Sequence, residues 1–253
     1  MIQIDCLAGT LPCPPETTEW FNVIKSSMYP DEQVPVIIAD FIGKAATIQH
    51  KMMGIIRRSD FELASKEYHA LVSRLVDAEN EVDVQLSRLN KQDSTLYAFW
   101  NQLFCSALVK GYHIAQLYVN LLSHYRPSPI PVSELEARRD YFIQRVRGAA
   151  QEILDSVSGT LRPLIHDNDT SPRMLFDAMM VIWPVTSIYT VPSTLPEQKS
   201  AAEMALLFLG KTLGIKQALS PYPGISGARI PPQAQAPHGF GESEMSDWVG
   251  RLR

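Results

Sequence analysis

Four side chains on two apolar stretches carry groups that could do chemistry. Tyr97, Trp100 and His113 lie on the run from Leu96 to Tyr125, and Trp183 sits beside Pro184 on a second run from Ser171 to Tyr189. Phenol and indole groups combine an apolar body with one hydrogen-bonding handle. That combination can wall a pocket for an apolar ligand and orient it. Lys110, Asn120 and His124 join His113 in a polar stripe along the first run, and Met174, Met179 and Met180 beside Pro184 are side chains that repack readily around a guest. The chemistry on offer is binding, with acid–base work by His113 as its catalytic extension. Each group also has a plainer reading: aromatic stripes at helical spacing usually pack as core, and polar stripes usually face solvent.

No metal site is expected, because no Asp, Glu or Cys shares ligand spacing with His113 on the same helix. No cofactor is expected either. Phosphate loops, dinucleotide fingerprints, nucleophile elbows and His-Glu-x-x-His pairs are all missing, and Gly43-Lys44 falls inside a helical pattern without a glycine-rich turn before it. Missing motifs exclude only the reactions that carry them. An enzyme working by shape and a few polar contacts would leave no local signature.

Composition narrows the class. Hydrophobic residues at 45% and charged residues at 20% describe a globular domain with a substantial core. A net charge of −4 argues against a nucleic-acid surface, which needs clustered Lys and Arg to displace counterions. No run approaches the roughly 20 apolar residues of a membrane span. Asp5 stands where a signal peptide would carry positive charge, so an intracellular location is expected, with the three cysteines reduced. Cys105, in an apolar run, reads as an inert buried thiol.

The elements follow from periodicity. Residues 1–34 read as an extended lead punctuated by Pro12, Pro14, Pro15 and Pro30, with one helical turn around Trp20-Phe21. Apolar residues at three-and-four spacing predict helices over 36–57, 61–89, 96–125, 133–157, 171–189 and 196–214. Glu62, Lys66, Asp77, Glu79, Glu81 and Arg88 read as the solvated face of the second. Ser133 and Glu136 match a capping box, Gly159 can close that helix, and Pro184 should kink the next. Residues 220–253 read as a Pro/Gly-rich flexible tail ending in a short helix with Met245, Trp248, Val249 and Leu252 on one face. The expected fold is all-α: one helical domain of about seven helices, over 35–219, between the lead and the tail.

Three stretches carry a family resemblance: Leu11-Pro12-Cys13-Pro14 shortly before Trp20, Arg147-Gly148-Ala149-Ala150-Gln151-Glu152-Ile153-Leu154, and Glu197-Gln198-Lys199-Ser200 running on to Leu209-Gly210 and Gly214-Ile215-Lys216-Gln217-Ala218. In that order they resemble the C-terminal part of the regulatory region of fungal zinc-cluster transcription factors, over roughly Leu11 to Leu219. The resemblance implies an all-helical domain that binds small effectors or protein partners and controls an attached DNA-binding module, often for a secondary-metabolite pathway. The departure is the module itself: a two-zinc cluster needs six cysteines, and only Cys6, Cys13 and Cys105 are present. Direct sequence-specific DNA binding is therefore not expected.

Three readings stand at this point. The first is a nuclear regulator acting in trans, by binding an apolar small molecule or by homo- or heterodimerising with a full-length relative. The second is a cytoplasmic, cofactor-independent isomerase or cyclase using the same pocket on an apolar natural product. The third is a gene fragment without activity.

Overall fold

The computed structural model describes residues 2–29, 32–58, 61–88, 94–124, 130–167 and 170–219. The described residues form eight α-helices and no strand: α1 (Ile2–Gly9), α2 (Glu16–Ser27), α3 (Val34–Arg57), α4 (Phe61–Arg88), α5 (Ser94–His124), α6 (Val132–His166), α7 (Pro172–Thr190) and α8 (Pro196–Leu207). A π-helical turn over Phe208–Thr212 and a 3-10 turn over Lys216–Leu219 follow. The all-α reading is thereby established, with one contiguous core. The tail beyond Leu219 lies outside the described residues.

The lead is not extended. Pro12 and Pro14 fall in the loop between α1 and α2, and Pro15 takes the N-cap position of α2, where a missing N–H costs little. Proline therefore delimits two helices here and does not prevent them. α1 belongs to the core, with Leu7 fully buried. Its C-terminus closes with Thr10 in the left-handed region (φ 54°), the Leu11 N–H reaching the Cys6 carbonyl and the Thr10 N–H reaching the Leu7 carbonyl. Lys110 of α5 donates to the Leu7 and Ala8 carbonyls, the latter at 2.6 Å, and so satisfies groups the helix end would otherwise orphan.

α2 is pinned to α3 from within. Phe21 and Thr17 are buried, and Lys25 pairs at 3.1 Å with Asp40, a buried carboxylate that also meets Lys44 at 3.1 Å. Gln33 Nε2 donates to the carbonyls of Lys25 and Met28 and finishes the end of α2.

α5 and α6 form the axis of the molecule as an antiparallel pair. Gln102 meets Thr160, Cys105 meets Glu152, and Tyr112 stacks on Phe142. The buried line of α5 is Leu103, Phe104, Ala107, Leu108, Tyr112, Ala115, Tyr118, Val119 and Leu122, whereas Leu117 is half-buried and Leu121 exposed. α6 starts at Val132 after Pro131, with no side-chain cap, so Ser133 sits inside the first turn. It also runs past Gly159 and through Pro163, because Val157, Leu161 and Leu164 continue the buried stripe. Burying those leucines, at about 1.5–3 kcal/mol each, offsets what Gly159 and Pro163 cost.

At its far end α8 turns sharply, for two local reasons. Gly214 takes φ +71°, a conformation that side chains disfavour, and Leu219 packs where a Cβ on Gly210 would lie 2.3 Å from its Cγ.

One expected solvated residue is the opposite. Glu79 is only 2% exposed. Its carboxylate accepts from the Tyr112 hydroxyl of α5 and is ion-paired with Arg145 of α6, whose guanidinium lies 5.5 Å from the Tyr112 ring centre. Nearby, the Tyr68 hydroxyl donates to the Ala115 carbonyl at 2.5 Å, and the Tyr68 and Tyr118 rings stack at 3.8 Å. The two halves of the ion pair are unequal, since the Arg145 side chain keeps 41% of its surface in water. Arg145→Met strands a buried carboxylate and is expected to cost about 3–5 kcal/mol. Glu79→Gln leaves a cation that water can reach and should cost about 1–2 kcal/mol. Urea unfolding of both variants checks the order, and equal losses would contradict it.

Candidate functional site

Of the residues singled out for a pocket, Trp100, His113 and Trp183 do not converge on one point. Trp100 and His113 stand on the same continuous helix, thirteen positions apart. At 1.5 Å per residue that is about 20 Å, and the two side chains leave the axis on different faces. The pairings of α5 with α6, together with the Arg147 Nε bond to the Ser193 carbonyl after α7, place Trp183 toward the Trp100 end of α5. His113 lies just past the middle of α5, in the field of Lys199 of α8. Tyr97 belongs to the first turn of α5, and its side chain lies outside the described residues.

The two tryptophans share a property. Trp183 is buried and Trp100 half-buried against the core and the Phe99 ring, and both indole N–H groups are buried without an acceptor in the structure. A buried donor left unsatisfied costs about 1–3 kcal/mol, so both groups are suited to an incoming acceptor. Their surroundings are less methionine-rich than the sequence implies, because Met179 is 48% exposed and only Met174 packs on the core. α7 passes through Pro184 as a single helix, with the hydroxyls of Thr186 and Ser187 donating to the carbonyls of Ile182 and Pro184.

The polar stripe on α5 splits into separate tasks. Lys110 caps α1, and burial pushes its amine down to about 8. His124 Nδ1 is 2.7 Å from the Asn120 carbonyl at the exposed end of the helix. Asn120 lines a small cleft with Val119, Ser123, Val132, Leu135, Glu136 and Arg139, whose volume of about 50 Å³ suits one or two waters. His113 is held neutral. Burial, then the ammonium groups of Lys110 and Lys199, push its imidazole down to about 4. Its Nδ1 is buried and unpartnered.

Among the described residues no group of three or more His, Cys, Asp or Glu side chains could hold a metal ion. Cys105 donates to Glu152 Oε2 at 3.4 Å, and burial raises the thiol well above its usual range, which keeps it inert. No described helix is long and apolar enough to cross a membrane.

Two of the three stretches that carry the family resemblance meet, while Cys13 of the first lies against Thr47 of α3. Gln198 Nε2 donates to the Arg147 carbonyl at 2.9 Å and to Gln151 Oε1 at 3.3 Å, and Gln198 Oε1 accepts from the Leu195 N–H at 3.1 Å. Arg147 Nε reaches the Ser193 carbonyl at 3.1 Å. These residues join α6 to the α7–α8 corner, while Gly210 and Gly214 shape the turn that ends α8. Their roles are architectural. Neither a family model, a curated protein nor a solved structure matches this chain.

His113 makes the acid side of the stability profile diagnostic. Its folded value lies below the ordinary histidine value of about 6.5. Between pH 6.5 and about 4 the unfolded chain therefore binds the extra proton, and stability is lost as pH falls through that window. In urea unfolding at pH 7 and 4.5, the native chain should lose about 2 kcal/mol more than His113→Gln. Identical losses would mean that His113 is hydrated.

Proposed function

We propose that this chain is a regulatory-type helical domain that does not read DNA itself and acts by binding, either of an apolar small molecule or of a full-length regulator, in control of a secondary-metabolite pathway. One observation carries the reading. Arg147, Gln151 and Gln198, separated in sequence and all within stretches that resemble zinc-cluster regulators, form one hydrogen-bonded joint between α6 and α8. The net charge of −4 adds to it, since a DNA-binding face would need a basic footprint.

A second reading is a cofactor-independent isomerase or cyclase on an apolar natural product. It is favoured by the unpartnered indole donors of Trp100 and Trp183, which could orient a carbonyl-bearing substrate; His113, with its imidazole pushed down to about 4, is too weak a base to add to it. The roughly 20 Å of helix between Trp100 and His113 separates those groups, so the binding reading comes first.

Two measurements divide these cases. Co-expressed with a full-length zinc-cluster regulator encoded beside it, the chain should co-purify, and alone at physiological salt it should not shift duplex DNA. Sequence-dependent DNA binding at sub-micromolar concentration would overturn the proposal. Conversion of a neighbouring pathway's late intermediate by the pure chain, slowed by Trp100→Ala, would replace it with the catalytic reading.

A further inference from the structure

α2 is apolar on the wrong side. Phe21 and Thr17 face the core, yet Trp20, Val23 and Ile24 are 63%, 68% and 42% exposed. They fall at positions i, i+3 and i+4, one outward face, and Ser27 continues it. Tyr29, 75% exposed, lies just beyond the end of the helix. This face is held in place by the Lys25–Asp40 ion pair and the Gln33 cap described above, so it is a fixed surface and not a frayed end.

Its size and charge limit what could cover it. The exposed parts of these side chains amount to roughly half of the ~800 Å² that each partner gives to a stable interface, too little to hold a second copy on their own. The charges on and beside the face are acidic. Glu16 and Glu19 lie in its first turn, and Lys25 is turned inward to Asp40. An acidic rim repels anionic lipid. It suits a short apolar helix with a basic end.

The chain carries such a segment. In Ser243–Arg253, Met245, Trp248, Val249 and Leu252 recur at i, i+3, i+4 and i+7, and Arg251 and Arg253 flank that line at its end. The intervening residues 220–242 span up to about 80 Å extended, more than the roughly 45 Å width of a domain this size. Tethering also replaces the concentration that a patch this small could not otherwise command.

We infer that the C-terminal segment Ser243–Arg253 docks in cis as an amphipathic helix on the outer face of α2, its apolar line on Trp20, Val23 and Ile24 and its arginines against Glu16 and Glu19. Antiparallel placement brings the two charged ends together. The inference is independent of whether the domain is a regulator or an enzyme.

The test uses the full chain carrying Ser27→p-benzoylphenylalanine, irradiated at low micromolar concentration. Ser27 lies on the face but outside its apolar residues. The expected product has monomer mass, with the photoreactive position joined to a peptide within 243–253. Trp248→Asp should abolish it. Arg251→Glu with Arg253→Glu should lower its yield about fivefold, the effect of two surface ion pairs, and Glu16→Lys with Glu19→Lys should restore it. Dimer-mass adducts would assign the face to a second copy and overturn the inference. Adducts elsewhere on the chain, no adduct, or failure of the charge exchange to rescue would overturn it as well.

Discussion

Glu79 is the constraint around which the central helices are arranged. Taking a carboxylate out of water costs several kcal/mol unless charge and hydrogen bonds replace the lost hydration. Here Tyr112 of α5 and Arg145 of α6 replace it together. A helix that packs mainly on α3 is thereby tied to the α5–α6 pair at one point, and the register of three helices is set there. Hydrophobic contacts tolerate sliding by a turn. A buried carboxylate with two named partners does not, because a slip leaves all three groups unpaired at once. The Tyr68–Tyr118 stack and the Tyr68 bond to Ala115 extend the same polar seam between α4 and α5.

The same helix α5 organises the edges. Lys110 reaches across to finish α1, which explains how an eight-residue helix far too short to stand alone is kept at the N-terminal end. Three residues further on, His113 stays neutral because it is largely buried and, to a lesser degree, because it lies in the field of Lys110 and Lys199. The half of α5 that holds His113 is thus committed to holding other helices. The half that holds Trp100 faces α7 and Trp183, where two indole donors have no acceptor. The residues of the family resemblance lie elsewhere again, at the α6–α8 joint and the Gly210–Gly214 turn. What they encode is a scaffold, and a scaffold is compatible with more than one ligand.

Several sequence expectations failed for identifiable reasons. Prolines dominate residues 1–34 and predict an extended lead, but Pro12 and Pro14 fall in a loop and Pro15 at a helix start, where a missing N–H costs little. Gly159 can close α6, yet the buried stripe beyond it carries the helix on. The charged neighbours of Glu79 in the helix pattern point it to solvent. Its opposite number, Arg145, lies on another helix, so nothing near it in sequence marks the pair. The four candidate pocket residues were grouped by chemical type, and the 20 Å rise between Trp100 and His113 was legible from their spacing alone.

The sequence by itself determined what depends on local periodicity and composition: an all-helical chain, the positions of α3, α5 and α7 to within a few residues, a count of three cysteines, and the place of Cys105 in an apolar helix. Those properties follow from the 3.6-residue repeat and from counting, and need no partner helix. Only the tertiary structure decided which polar residues are buried, which resemblance-bearing residues touch, and which apolar face is left open. A helix has two sides, and the pattern of α2 offers Phe21 to one and Trp20, Val23 and Ile24 to the other. The side that found a core was settled by Asp40 waiting on α3 for Lys25, a contact between residues that no local rule connects.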